Sequence, residues 1–354
     1  VVEVMGGERP ALDYLRQALQ GGKSVVTANK EVMAKHGPEL LALADKKKVQ
    51  ILFEASVGGG IPILRPLTKD LRANEIKTIR AIINGTTNYI LTKMTYEDME
   101  FTQALEEAQK LGYAEADPTN DVEGIDASYK LAILASLAFR TKVAVKDVYR
   151  EGISRLTSRD FRYARELGYV IKLMAIARRE GDEVDVRVHP ALIPREAPLA
   201  KVDGVFNAVE VEGDLVDKVL FHGRGAGSMP TTSAVIGDIL EVGWNIAREV
   251  PSSPFVSLDR ALPIRSISDL VTRYYIRTTV SDRSGVLAQM ATILGNLQIS
   301  IASVIQKESD PRAQTAELVI TTHPSREKDM QQALRELEEL EAVREIGNFL
   351  RVEE

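Results

Sequence analysis

The chain opens on short apolar runs that alternate with amphipathic stretches. VVEV (1–4), SVVTA (24–28) and VQILFEA (49–55) have strand length. Between them, Pro10 to Gln20 places Leu12, Leu15 and Leu19 on one face and stops at Gly21-Gly22. Residues 31–47 are helical in character, with an interruption predicted near Gly37-Pro38. Strand and helix in turn predict parallel βαβ units with right-handed crossovers.

After VGGGIPI (57–63), a close approach or tight turn, the rhythm becomes mixed. Residues 76–85 predict a strand, NYILTKM and FTQALEEAQKLG two helices, and 124–139 a strongly apolar helix. Strands are predicted at 185–193, 206–213 and 216–223, so residues 54–221 form an α+β domain with its own sheet. A glycine-rich turn at 222 feeds a helix to 247, and 222–250 completes the first domain, residues 1–53. Proline and serine then mark a linker, 251–271. Residues 272–354 read strand, helix, strand, strand, helix, strand, the order of a ferredoxin-like fold. The whole is α/β, with a partial Rossmann-like domain at its start.

Composition narrows the partners. The chain has 354 residues, enough for two or three domains, with 44% apolar and 27% charged residues. Its net charge is −6, and its basic runs are short, which argues against nucleic acid and gives no reason to expect an anionic membrane surface. No apolar run reaches the roughly eighteen residues of a membrane helix. Cysteine is absent, which excludes disulfides and thiolate chemistry and fits a reducing cytoplasm. VVEV reads as a core strand at the first residue, so the sequence is expected to start partway through a domain.

The densest chemistry lies in EADPTNDVEGIDASYK, residues 115–130. A calcium loop starting at Asp117 fails, because Val122 stands where glycine is needed and Ser128 where the closing glutamate is needed. Asp126 and Lys130 could be an ordinary surface i,i+4 pair. Yet the helix that carries them is apolar nearly all round, so it is buried, and a charged pair there calls for a purpose. Lys30 follows a parallel strand at its carboxyl end, the edge where α/β sheets bind ligands; a plain loop lysine is the other reading. Two near-fingerprints for dinucleotides fail, Gly223/Gly225 at Ser228 and Gly58/Gly60 at Ile63.

Five stretches join these pieces: TANK (27–30), EASVGGGIPI (54–63), INGTTNYIL (83–91), LGYAEADPTNDVEGIDASYKLAILA (111–135) and HGRGAGSMPTTSAVIGDI (222–239). In this order and spacing they closely resemble homoserine dehydrogenase. The C-terminal module, with its D-R-S-G-V-L turn from Asp282 to Leu287, resembles an ACT domain. The resemblance implies reduction of L-aspartate 4-semialdehyde to L-homoserine with NADH or NADPH, in threonine and methionine synthesis. It makes Lys130 the proton donor and Lys30 a second essential lysine, while Glu115, Asp126 and Asp121 are the substrate acids. Gly6, Lys30, Gly112, Gly225 and Gly227 match coenzyme contacts. Glu54, Val57, Gly59 and Ile61 match a site for a monovalent cation, taken as sodium.

The resemblance also implies threonine feedback near Asp282, Gly285, Leu287 and Asn296, and a homodimer or homotetramer in the cytoplasm. Strand edges of the ACT module suggest pairing between modules side by side. The strand and glycine loop that open the family's coenzyme domain do not occur in the sequence, so weak coenzyme binding and little activity are expected. A rival reading is a non-catalytic amino-acid sensor with a remnant dehydrogenase; four retained site residues, Lys30, Glu115, Asp126 and Lys130, favour the enzyme.

Overall fold

A computed structural model describes residues 1–250, 256–310 and 312–353. The first layer is β1 (Val2–Glu3), α1 (Ala11–Gln20), β2 (Val25–Thr27), α2 (Lys30–Lys47) and β3 (Ile51–Leu52). Its strands pair in parallel in the order β1-β2-β3. Leu12, Leu15 and Leu19 of α1 are buried, as their spacing predicts. The break predicted near Pro38 does not occur: α2 runs through it. An interior proline costs about 3 kcal/mol, but Val32, Met33, Ala34, Gly37, Leu40 and Ala44 are buried on both sides of it and hold the helix together.

The second unit runs β4 (Ile76–Ile82), α3 (Gly85–Tyr96), α4 (Phe101–Lys110), α5 (Thr119–Val122), α6 (Ile125–Phe139), β5 (Tyr149–Arg150), α7 (Ser158–Glu166), β6 (Tyr169–Glu180), β7 (Glu183–Pro194), β8 (Phe206–Gly213) and β9 (Asp217–Arg224). The long helix α8 (Ser228–Ala247) returns the chain toward the first layer, where it meets β2. β6 has no counterpart among the predicted elements. Its run YVIKLMAIA is apolar without alternation, because both faces are covered, and such a run reads equally as helix or strand. It carries a buried lysine, Lys172, whose ammonium donates to Asn88, the Val202 carbonyl and Asp203.

The last unit is β10 (Val271–Ser281), α9 (Val286–Asn296), β11 (Ile301–Asp310), β12 (Thr315–Thr322), β13 (Ser325–Arg326), α10 (Glu327–Glu338) and β14 (Val343–Val352). Apart from the two-residue β13, this is the predicted order. Its sheet does not stay separate. β14 pairs in parallel with β7 through Arg351↔Ala191 and Val352↔Leu192. Among the described residues the result is one 11-stranded sheet with the path β11-β12-β10-β14-β7-β6-β4-β8-β9, and with β13 on β10 and β5 on β7 beside that path. This takes only the C-terminal end of β14; on that side residues 343–350 pair with no strand among the described residues, and β11 is the module's other edge.

The first five residues of the predicted linker lie outside the described residues. The rest is pinned down. Arg260 bridges to Thr141 and Ile264 to Val184, while the Arg260 and Arg265 side chains reach Glu75 and Glu180. Buried Arg277 and fully buried Arg351 then tie β10 and β14 to Asp160 and Glu151 of the middle unit. A buried guanidinium with several carboxylate partners fixes geometry more than it adds stability. No helix among the described residues is long and apolar enough to cross a membrane.

Candidate active site

Three element starts converge on one point. α6 begins after Gly124, which has φ +72° and has Val188 and Arg150 packed against it, so only glycine fits there without strain. Twelve of the fifteen α6 residues are buried, and Asp126 and Lys130 are among them. The surface-pair reading is thereby excluded. β4 delivers Ile83 and then Asn84, whose side chain caps α3 by accepting the Thr87 N–H at 2.9 Å. β2 delivers Lys30 as the first residue of α2, capped by Asn29.

Asp126 is the hub. One of its oxygens pairs with the Lys30 ammonium. The other accepts from Lys130 Nζ at 2.6 Å and from Asn84 Nδ2 at 2.9 Å. Asn84 Nδ2 also donates to Asp121 at 2.6 Å, so one amide bridges two acids. Lys130 donates again to the Ile83 carbonyl at 2.7 Å. An ammonium has three N–H groups. Two are spent here, and one remains for a reacting oxygen.

Asn84 is the residue that sequence reasoning missed. The strand predicted over 76–85 covers it, whereas β4 ends at Ile82 and Asn84 is the cap of α3. Glu115 is exposed beside this cluster, and its charge is felt at Lys30. The Thr86 hydroxyl holds the Glu115 loop in place by donating to the Tyr113 carbonyl at 2.6 Å.

The two lysines are set apart electrically. Burial pushes Lys130 below the usual lysine value, despite the Asp126 charge beside it. Burial opposes charge at Lys30 too, but there Asp126, Asp121 and Glu115 outweigh it and raise the value. Asp126 is itself buried; the two ammonium groups still hold it well below the usual carboxylate range. A depressed lysine is a better acid and a raised one a more permanent cation.

The glycines assigned to coenzyme lie on three separate loops. Gly6 (φ +82°), in the loop after β1, is open, as is Gly112 (φ +75°) after α4, and Gly227 precedes α8 with φ +117°. Gly6 and Lys30 lie close along a tied path, since Asn29 donates to the Gly7 carbonyl at 2.8 Å. Gly225 is packed tightest. A Cβ there would lie 2.2 Å from the Asn207 amide, and a Cβ on Gly59 would lie 2.5 Å from the Gly225 carbonyl. The glycine turn therefore abuts the turn assigned to the cation.

In that second turn, the Glu54 carboxylate accepts the N–H groups of Ile63, Leu64 and Arg65 at 2.6, 2.8 and 2.8 Å. It is committed to the backbone, which leaves the Glu54 carbonyl for an ion. Glu54 N–H donates in turn to buried Asp238 of α8, whose carboxyl is pushed up to about 6 chiefly by burial. Among the described residues no group of three or more His, Cys, Asp or Glu side chains could hold a metal. Removing the carboxylate with Glu54→Ala orphans three N–H groups in a buried turn. Urea unfolding is expected to show a loss of at least ~2 kcal/mol, since each orphan costs ~1–3 kcal/mol.

In the C-terminal module, Asp282, Gly285 and Leu287 sit at the exposed start of α9, where Gly285 has φ +88°. Asn296 is the last residue of the same helix, roughly 16 Å away by helical rise. The structure does not bring these four together within one chain.

Comparison with known proteins bears directly on this geometry. Residues 62–240 match the homoserine dehydrogenase family model, residues 1–54 its NAD-binding domain, and residues 274–342 the ACT domain. The chain is 44% identical to a homoserine dehydrogenase of Neisseria gonorrhoeae, covering 100% of this chain and 82% of that protein. It is 45% identical to one from Synechocystis, with 99% and 83% covered. The crystal structure of a homoserine dehydrogenase from Thiobacillus denitrificans superposes with a TM-score of 0.94 at 44% identity, over 100% of this chain and 82% of that one. A hyperthermophilic archaeal homoserine dehydrogenase in complex with NADPH gives a TM-score of 0.61 at 32% identity, over 69% of this chain and 72% of that one. The chain belongs to the homoserine dehydrogenase family and carries an ACT domain.

Proposed function

We propose that the Lys30–Asp126–Lys130 cluster is where aspartate 4-semialdehyde and homoserine interconvert, with Lys130 as the proton donor. The observation that carries this is the one unspent N–H of a buried lysine whose acidity burial has raised. A reduced nicotinamide, when bound, supplies the hydride to the carbonyl carbon. Lys130 gives its proton to the oxygen as charge develops there, and Lys30 stays cationic and stabilises that charge. Asp126 holds both lysines at once, which leaves Glu115 and Asp121 to receive the substrate ammonium.

Gly6, Gly112 and the Gly225–Gly227 turn, with Lys30, suit the nicotinamide end of NAD or NADP, since a backbone without side chains admits close approach. Glu54, Val57, Gly59 and Ile61 would hold a sodium ion through their carbonyls, bracing the turn against Gly225. Assays of homoserine-dependent reduction of NAD and NADP, and of semialdehyde-dependent oxidation of the reduced forms, test the reading. Turnover with homoserine that Lys130→Met abolishes supports it; turnover that Lys130→Met leaves unchanged contradicts it.

For the ACT domain, L-threonine is the effector we favour, acting at an interface between α9 starts of paired modules in a homodimer or homotetramer. This suits the exposed Asp282–Leu287 turn better than a site within one chain. Adding L-threonine is expected to lower kcat and to change the sedimentation of the protein; no change in either counts against it. The cysteine-free sequence suits a cytoplasmic enzyme.

A further inference from the structure

One loop touches both the ACT domain and the catalytic helix. On the ACT side, Arg351 of β14 is fully buried and donates to both oxygens of Glu151, at 2.9 and 3.0 Å. The same guanidinium donates to both oxygens of Glu327, the first residue of α10, at 2.9 and 2.6 Å. So Glu151, just after β5, is locked to β14 by the same guanidinium that holds α10.

On the other side the next three residues lean on the entry to α6. Ile153 N–H donates to the Val122 carbonyl at 2.8 Å, and the Ser154 hydroxyl donates to Glu123 at 2.8 Å. Gly152 lies so close that a Cβ would sit 2.6 Å from the Val122 carbonyl and 2.4 Å from the Glu123 carboxylate. Glu123 is followed directly by Gly124, the cap of α6, and Asp126 and Lys130 lie in the first two turns beyond it. A shift in residues 151–154 therefore has little choice but to move the start of α6.

The loop has somewhere to go. Its inner side is hydrogen-bonded to β7, where Glu151 N–H donates to the Val188 carbonyl. Its outer side lines a cleft of about 1220 Å³, faced by Gln331 and Arg335 of α10 and by Asn348 of β14. Ile153 anchors the loop in the core with no exposed surface, so a displacement of its neighbours is passed on to what packs against them rather than absorbed.

We propose that residues 149–154 are the link through which the ACT domain sets the position of α6, with Glu151 and Gly152 as positioning residues for the catalytic pair. Neither side chain takes part in the reaction. The inference rests on the reading of Asp126 and Lys130 as catalytic.

Three variants of the full chain test it: Glu151→Gln, Gly152→Ala and, as a control on a different contact between the same two units, Arg159→Ala. Arg159 reaches Glu317 of β12 at 3.3 Å without passing through the loop. Glu151→Gln and Gly152→Ala are expected to lower kcat by about 2- to 30-fold, the span of measured couplings along such paths. The KM for coenzyme should stay near wild type. The unfolding midpoint should fall, because the Gly152→Ala Cβ meets the Val122 carbonyl and Glu151→Gln weakens the pair with buried Arg351. Amide exchange should quicken in residues 122–130 beyond any general increase. Arg159→Ala should leave kcat and that exchange unchanged. Unaltered exchange at 122–130 in both loop variants overturns the link. An equal change in Arg159→Ala overturns it too, because the effect would then belong to domain contact in general. If Lys130→Met stays active while the loop variants still quicken exchange, the link stands and the catalytic reading falls.

Discussion

Lys130→Met is expected to lower kcat by about 10²- to 10⁴-fold, the contribution of a positioned general acid. The coenzyme KM should move little, because Lys130 contacts Asp126 and Ile83 rather than the glycine turn. The fold should tolerate the change. Methionine has a similar length and no polar group to bury, and Asp126 keeps its pair with Lys30 and its bond from Asn84. Steady-state kinetics beside thermal unfolding check both halves. Lost activity with an intact melting transition is the expected result; lost activity in proportion to unfolded protein would reduce Lys130 to a structural residue.

Asp126→Asn should be worse for the fold. It removes the counter-ion shared by two lysines, one of them buried. Breaking a buried pair costs ~3–5 kcal/mol when the remaining charge stays in place. Lys130 can escape part of that by losing its proton, so the loss of activity at neutral pH is the firmer expectation. With the carboxylate gone, nothing opposes burial as strongly, and the Lys130 value falls further. The reductive kcat should then decline at a lower pH than in the wild type.

Stability should carry the matching signature. In the wild type the folded carboxyl of Asp126 lies well below its ordinary value of 3.8. Its contribution is complete above that ordinary value and is lost as pH falls toward the folded one. The difference between wild type and Asp126→Asn should shrink on acidification through that range. Denaturant unfolding at a series of pH values reads it directly.

Much of this was legible before any coordinates. An apolar helix with an aspartate and a lysine one turn apart signals a buried pair, and α6 carries it. The alternation of strands and helices gives the βαβ start and the βαββαβ end. Three features were not legible, each for a physical reason. β6 has both faces covered, so its pattern loses the period of two that marks a strand. Asn84 works through contacts with Asp121 and Asp126, far along the chain, and its local pattern speaks only of a cap. The junction of β14 with β7 joins residues about 160 apart through two backbone pairs and the buried Arg187–Glu353 ion pair, and partners so distant along the chain leave no trace in local side-chain order. That junction carries the most consequence, because it fixes the ACT domain beside the loop that packs on the entry to α6.

The most direct test of Lys130 as proton donor is the pH dependence of kcat in the reductive direction, for the wild type, Lys130→Met and Lys30→Met. Reduction needs Lys130 charged, so the wild-type rate should fall with rising pH below the ordinary lysine value of 10.5. Lys30→Met should be slower yet keep that fall, and the residual rate of Lys130→Met should lose it. Should the fall persist in Lys130→Met and vanish in Lys30→Met, the roles of the two lysines are reversed and the account is wrong.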